Sequence, residues 1–253
     1  MKKLEGNEKL RVHGKLLDDY ILESNNNETL LSLKEKYIEW ALAKNISQIK
    51  NKYIEYNEFF DDNIEAIRKA VGSERKFAAF VGHRLEEFVY LLCFEYCKSK
   101  NLVLNKFSSG DIISWIGINS EGKLSVISHG ADLAIGKWRK FTIKNGESSG
   151  IEEKEFFVPN IVIECKYYVS LDMFRDIVTE SEMFKRIYPH SLFLVVCEVI
   201  EMTKEFQKMK KVWEAYIDGF FAFRPGKRTE PGKIVVDRVN NFENFIKEFI
   251  RKL

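Results

Sequence analysis

Apolar positions recur at intervals of three to five residues, which keep close to one helical face, between residues 7 and 72: Leu30, Leu33, Tyr37 and Leu42, then Ile54, Phe59, Ile64 and Ile67, with the polar loop Ser24-Asn25-Asn26-Asn27. That period belongs to amphipathic helices and predicts a helical lobe over residues 1–72 that covers a sheet or contacts a partner. Gly72-Ser73-Glu74 reads as a break and a cap, which opens a longer helix from residue 74 to about 98. After Lys100 the pattern turns to strands. Residues 124–128 and 132–135 are short β-prone runs, joined by His129-Gly130-Ala131 as an expected tight turn. Pro159-Asn160 leads into Ile161-Val162-Ile163-Glu164-Cys165-Lys166, a further strand. Residues 171–187 repeat as an amphipathic helix closed by Tyr188-Pro189, and 192–199 form a continuous apolar run of buried-strand type. Strand, helix and buried strand predict a βαβ crossover, and so an α/β fold in which helices flank a mixed sheet. Residues 234–239 read as an edge strand and 242–253 as a closing helix.

A chain of 253 residues, 45% hydrophobic and 31% charged, is globular in composition, which excludes wholesale disorder. Its 40 Lys and Arg nearly cancel its 38 Asp and Glu, leaving +2, so no acidic partner is held by bulk charge alone. The positive excess is local: residues 201–253 carry 12 basic and 8 acidic side chains, against 12 and 13 in 1–72 and 16 and 17 in 73–200. No window approaches about 18 uninterrupted apolar residues, and Met1-Lys2-Lys3-Leu4-Glu5 leads into polar sequence. A cytoplasmic protein without a membrane span is expected. Cys93, Cys97, Cys165 and Cys197 form no CxxC pair, and His13, His83, His129 and His190 are scattered, which argues against zinc. Each cysteine lies in an apolar run, as suits a buried thiol in a reducing compartment.

The local anomaly is charge inside a strand. On a period of two, Ile161, Ile163 and Cys165 share one face, while Val162, Glu164 and Lys166 share the other. Glu164 and Lys166 then project side by side, and an acid and a base there either pair with each other or serve a site. Asp132 enters an apolar run behind Gly130 in the same way. If the two strands are neighbours, Asp132 and Glu164 converge on one cation. Two carboxylates with waters and a phosphate oxygen suit Mg2+, and Lys166 beside them would position or deprotonate an attacking water.

Asp132 followed by Glu164-Cys165-Lys166 resembles the PD-(D/E)XK nuclease core. The wider stretch Ile163-Glu164-Cys165-Lys166-Tyr167-Tyr168, with Leu171-Asp172-Met173, Lys185, Pro189 and the run from Leu192 to Val196, is similar to type II restriction endonucleases of the BbvCI family. The resemblance spans about residues 77–245. It implies a restriction-endonuclease-like sheet in a nuclease domain over 73–253, with Asp132 and Glu164 as metal ligands, Lys166 as catalytic lysine and the Cys165 backbone carbonyl completing the metal shell. It also implies a core-helix glutamate within GxxxE, met here as Gly82-His83-Arg84-Leu85-Glu86. Ala78, Gly82, Glu86, Val89 and Cys93 fall on one helix face of mostly small side chains, expected to approach the sheet closely; this aims Glu86 inward and leaves Glu87 as the alternative. Glu86 otherwise makes an ordinary ion pair. The family's proline is absent before Asp132, where Ala131 stands.

Three basic segments are candidates for double-stranded DNA: Lys137, Arg139 and Lys140 with Lys144; Lys204, Lys208, Lys210 and Lys211; and Arg224, Lys227 and Arg228 with Lys233. The lysine row reads as helical with Phe206 and Met209 inward, and each segment is alternatively a solvated surface. The insertion at 137–157 either lengthens a hairpin toward DNA or lies idle. Tyr167, Tyr168, Trp115 and Trp138 either stack on bases or pack the core. The expected function is Mg2+-dependent cleavage of duplex DNA at a specific sequence by a homodimer or paired subunit, since two strands need two active sites or two visits. The rivals are a structure-specific repair or resolvase nuclease on the same core, and a DNA-binding subunit with a vestigial site.

Overall fold

The structure, a computed structural model, describes residues 12–118, 124–144, 151–201 and 203–253. Residues 7–11 and the side chains of Trp115, Lys144 and Lys210 lie outside the described residues. Helices α1 (Val12–Glu23), α2 (Glu28–Ala41), α3 (Ile46–Asp62) and α4 (Ile64–Val71) follow the predicted period. Asn25 and Asn26 take positive φ between α1 and α2, a region asparagine tolerates, and the Asn27 side chain caps α2 by accepting from Thr29 and Leu30. Gly72 turns the chain at φ 93°, and Ser73 caps α5 (Glu74–Ser99), accepting from the Lys76 N–H.

Strands β1 (Val103–Ile118), β2 (Leu124–Lys144) and β3 (Ile151–Val169) follow, then α6 (Leu171–Ile187), β4 (Leu192–Ile200), α7 (Thr203–Lys208), α8 (Lys210–Trp213), β5 (Gly219–Ala222), the short β6 (Gly226–Lys227) and β7 (Glu230–Pro231), and α9 (Val236–Lys252). Among the described residues β1 to β5 form one sheet in chain order, antiparallel from β1 to β3 and parallel from β3 to β5. The βαβ crossover is β3-α6-β4. The expected turn at His129-Gly130-Ala131 is not made: β2 runs through it, because β1 supplies a ladder on both sides, pairing His129 with Ile112 and Ala131 with Phe107. The irregularity that glycine signalled is a shift of register instead. Nor is 234–239 an edge strand: Val235 is extended, and Val236 opens α9, whose Val239, Phe242, Ile246 and Ile250 bury one helical face. The insertion lengthens the β2–β3 hairpin, which is paired out to Lys144 and Ile151. No helix among the described residues is long and apolar enough to cross a membrane.

Side chains alternate across the sheet into two cores. Leu133, Ile135, Ile161, Ile163, Cys165, Leu194 and Val196 pack with α1 to α5 and α9, whereas Ala134, Val162, Phe193, Val195 and Cys197 pack beside α6, α7 and α8. All four cysteines are buried and free. Inside the first layer lies a charge network. Glu198 on β4 is 0% exposed; its Oε1 accepts from Arg84 Nη2 on α5 at 2.6 Å, and its Oε2 lies 2.9 Å from Arg224 Nε. Arg224 also donates to Asp61 and, at 2.7 Å, to Asn57, both on α3. Breaking a buried pair leaves an uncompensated charge and costs about 3–5 kcal/mol, whereas an exposed pair is worth about 0–1 kcal/mol. Glu198→Ala is therefore expected to lose stability on that larger scale in urea unfolding, and Lys233→Ala, which removes an exposed pair with Glu58, to stay within the smaller one.

Candidate active site

The β2–β3 ladder ends at Leu133 and Ile163, one residue short of Asp132 and Glu164. The strands part there. On the other side of β2, Asn105 pairs with Ala134 but Phe107 with Ala131, so Asp132 and Leu133 together oppose the single residue Lys106. A bulge of this kind re-aims a side chain, and Asp132 turns into the gap, where its Oδ2 accepts from the Cys165 N–H at 2.9 Å. Lys166 ion-pairs with Glu164 and brings its Nζ to 3.9 Å from Asp132 Oδ2. The alternation read from sequence holds: Cys165 points into the first core, and Glu164 and Lys166 emerge on the opposite face.

Glu86 reaches the same gap from α5. Its Oε2 meets Lys106 Nζ at 2.5 Å and His83 Nδ1 at 3.1 Å. Glu87 points away, fully buried, and accepts from the Tyr37 hydroxyl at 2.7 Å. Gly82 corrects one expectation, because a Cβ there would meet nothing within 4 Å and no close approach to the sheet depends on it. Lys106 was missed in the sequence, where Leu104-Asn105-Lys106-Phe107 offers one polar signal inside a β run; only the register brings it opposite Asp132.

Three carboxylates and two ammonium groups thus share the gap. Burial, then the charge of Glu86, raises the Asp132 carboxyl. Burial, then Asp132, pushes Glu164 up to about 7 against the pull of Lys166. Burial works against the charged form of Lys166, but Glu164 and Asp132 outweigh it and hold the ammonium above its ordinary value. Burial likewise opposes ionisation of Glu86, and there His83 and Lys106 prevail and lower it. Among the described residues no three His, Cys, Asp or Glu side chains make a ready metal cage. Asp132 and Glu164 fit a hard divalent cation all the same, since Mg2+ keeps several waters and takes one or two carboxylates, and a cation relieves the repulsion that raises both groups.

The basic segments are placed unequally. Lys137, Arg139 and Lys140 are exposed on the β2–β3 hairpin. Lys140 is eight residues from Asp132, roughly 25 Å along a strand. Lys204, Lys208 and Lys211 are exposed on α7 and α8, with Phe206 and Met209 packed on the second core as expected. α7 follows β4 at the end of the sheet that carries Glu164 and Lys166, where Glu201 donates to the Val169 carbonyl. Arg224 departs from the expected DNA surface: it is 2% exposed and committed to Glu198, Asp61 and Asn57. Lys227 and Arg228 are exposed beyond it, and the Arg228 guanidinium lies 4.6 Å from the centre of the Tyr168 ring. Tyr167 packs against the first core, and Trp138 meets Phe157 edge-on.

The family model described as Bpu10I restriction endonuclease matches residues 85–230. A solved structure of the native BbvCI A2B2 tetramer matches with a TM-score of 0.66 at 15% identity, over 98% of this chain and 97% of that chain, a likeness of fold. No curated protein matches.

The raised Glu164 carboxyl has a consequence for stability. Its folded value of about 7 lies above the ordinary 4.5, so the metal-free fold binds this proton more tightly than the unfolded chain does. That contribution is fully present below the ordinary value and is lost as the pH rises through about 7. Glu164→Gln stays neutral throughout. Without divalent cations, the wild-type thermal midpoint is expected to fall relative to that of Glu164→Gln between about pH 5 and pH 8. Parallel midpoints would show that the carboxyl is not held up.

Proposed function

Since the chain belongs to the Bpu10I restriction endonuclease family, whose model it matches over more than half of its 253 residues, we propose that it is a type II restriction endonuclease that hydrolyses phosphodiester bonds in duplex DNA at a specific sequence with Mg2+. The observation that carries this reading is the convergence of Asp132, Glu164 and Lys166 where β2 and β3 part, with Glu86 entering from α5. Asp132 and Glu164 would hold the cation. The Cys165 carbonyl would be a further ligand, supported by the Cys165 N–H, which already faces Asp132; in a strand the N–H and C=O of one residue leave on the same edge. Bound there, the divalent ion supplies Lewis-acid stabilisation of the phosphate charge and a more acidic water.

The chain's own groups do the rest. Lys166, kept protonated by its two carboxylates in the metal-free chain, orients the attacking water and offsets charge growing on the phosphate oxygens. The water oxygen bonds to phosphorus and its proton passes to solvent, while the bond to the leaving oxygen breaks in line and that oxygen keeps the electron pair and takes up a proton from solvent. Glu86, entering the gap from α5, would assist a bound metal or its water. Lys137, Arg139, Lys140, Lys208, Lys211, Lys227 and Arg228 are the exposed cations available to phosphates. Cutting both strands calls for two active sites or two visits by one, and BbvCI is an A2B2 assembly, so we assign this chain to a homodimer or a pair of unlike subunits. Exposed Leu31 and Ile38 on α2, with Leu42 at its C-cap, follow one helical stripe and support the helical lobe as the contact.

With Mg2+, a sequenced plasmid is expected to yield discrete bands. Glu164→Ala and Lys166→Ala should each lower the rate at least about a hundredfold, and Cys165→Ser far less than either. Wild-type cutting by both alanine variants would remove the assignment. Cutting only at junctions or flaps would favour a structure-specific nuclease, and calcium-supported binding without magnesium-supported cleavage a vestigial site. Sedimentation is expected to show a dimer; a monomer with and without cognate DNA would count against pairing.

A further inference from the structure

The segment after β5 is built as a rigid post with an exposed tip. Phe223 N–H donates to Cys197 O and Arg224 N–H to Glu198 O, so the chain leaves the end of the sheet still hydrogen-bonded to β4. β6 and β7 then pair Gly226 with Pro231 and Lys227 with Glu230, which leaves Arg228 and Thr229 as a two-residue tip. Gly226 sits at φ 100°, where a Cβ would lie 2.5 Å from the Glu230 carbonyl, so this tight turn depends on glycine. Gly232 N–H closes the base on Pro225 O at 2.8 Å. The base is also fixed from the side: Asn57, Glu58 and Asp61 on α3 take Arg224, Lys233 and Arg224 respectively.

Arg228 at this tip lies on the Tyr168 ring and, among the described residues, makes no ion pair. Tyr168 is two residues beyond Lys166 on the same face of β3, about 6.5–7 Å along the strand. Stacking engages the guanidinium face and leaves its N–H edge free for an anion. A strand of B-DNA carries one phosphate per roughly 3.4 Å of helix axis, so a backbone seated at the cluster brings a neighbouring phosphate within that reach. We propose that the 225–232 hairpin is a phosphate clamp: Arg228 bonds a DNA phosphate beside the scissile one, and Tyr168 is the positioning residue that holds the guanidinium edge outward. This rests on the endonuclease reading and adds to it a specific contact and its support.

The test is duplex binding in Ca2+ at several salt concentrations, using a fragment that the wild-type chain cuts in Mg2+. Arg228→Ala and Arg228→Gln are expected to bind about tenfold more weakly, with the slope of log affinity against log salt smaller by about 0.9, the loss of one phosphate. Tyr168→Ala should reproduce both effects, Tyr168→Phe should retain wild-type binding, and the Arg228→Ala Tyr168→Ala pair should add little to either single change. The thermal midpoint of the Arg228 variants should stay that of the wild type, since the side chain is exposed. An unchanged salt slope in both Arg228 variants, while the wild-type chain cuts, overturns the clamp and leaves the endonuclease reading intact. A wild-type chain that cuts no duplex under any of these conditions overturns both.

Discussion

Glu198 lies on the interior strand β4 without solvent contact, between the guanidinium groups of Arg84 and Arg224. Its two oxygens join elements far apart in the chain: α5 through Arg84, and through Arg224 both the post after β5 and α3. Low dielectric makes each such attraction strong and each desolvation costly, so the arrangement is stable only with all its members present. Arg84 carries a second burden, with its guanidinium 4.3 Å from the centre of the Phe60 ring. Two residues along α5 from Arg84 is Glu86. The pair that orients this helix in the core thereby also orients the carboxylate entering the candidate site.

That site is assembled from both faces of the sheet. Glu164 and Lys166 stand on the face covered by α6, while Glu86 and Lys106 come from the side of α5, and Asp132 lies between them at the bulge. Each outer carboxylate has its own ammonium partner, and Asp132 feels both. The three carboxylates exceed the two lysines by one charge, an imbalance a divalent cation reverses without any change in the protein groups.

Elements whose hydrophobic period is local were legible in the sequence. The helix from Leu171 to Ile187 and the buried run of β4 were found nearly to the residue, because period and breakers agree there. The ExK strand was legible for the same reason: alternation alone fixes which face Glu164 takes. Register was not. Gly130 looks like a turn until β1 is laid beside it, and Lys106 is one lysine among many until Asp132 and Leu133 are found opposite it. Ile234 to Val239 has strand composition, and it is the burial of Val239 and Phe242 on one side that makes the segment helical from Val236 onward. Arg224 misled because a basic Pro/Gly loop reads as surface, whereas the acceptors waiting for it are on α3 and β4.

The first core has a temporal consequence. It contains Leu17 of α1 and Phe60 of α3 together with Val239, Phe242, Ile246 and Ile250 of α9, and Lys50 on α3 is tied to Asn240 and Glu243. Contacts of such long sequence separation form late, because the intervening loop must be closed before they bring any return. During synthesis the residues of the ExK strand leave the ribosome well before α9 does, so a nascent chain carries the nuclease residues while the layer that seats Glu86 and the hairpin post is still open. Completion of the core, rather than emergence of the site's own residues, sets the moment at which the assembled cluster can exist in the cell.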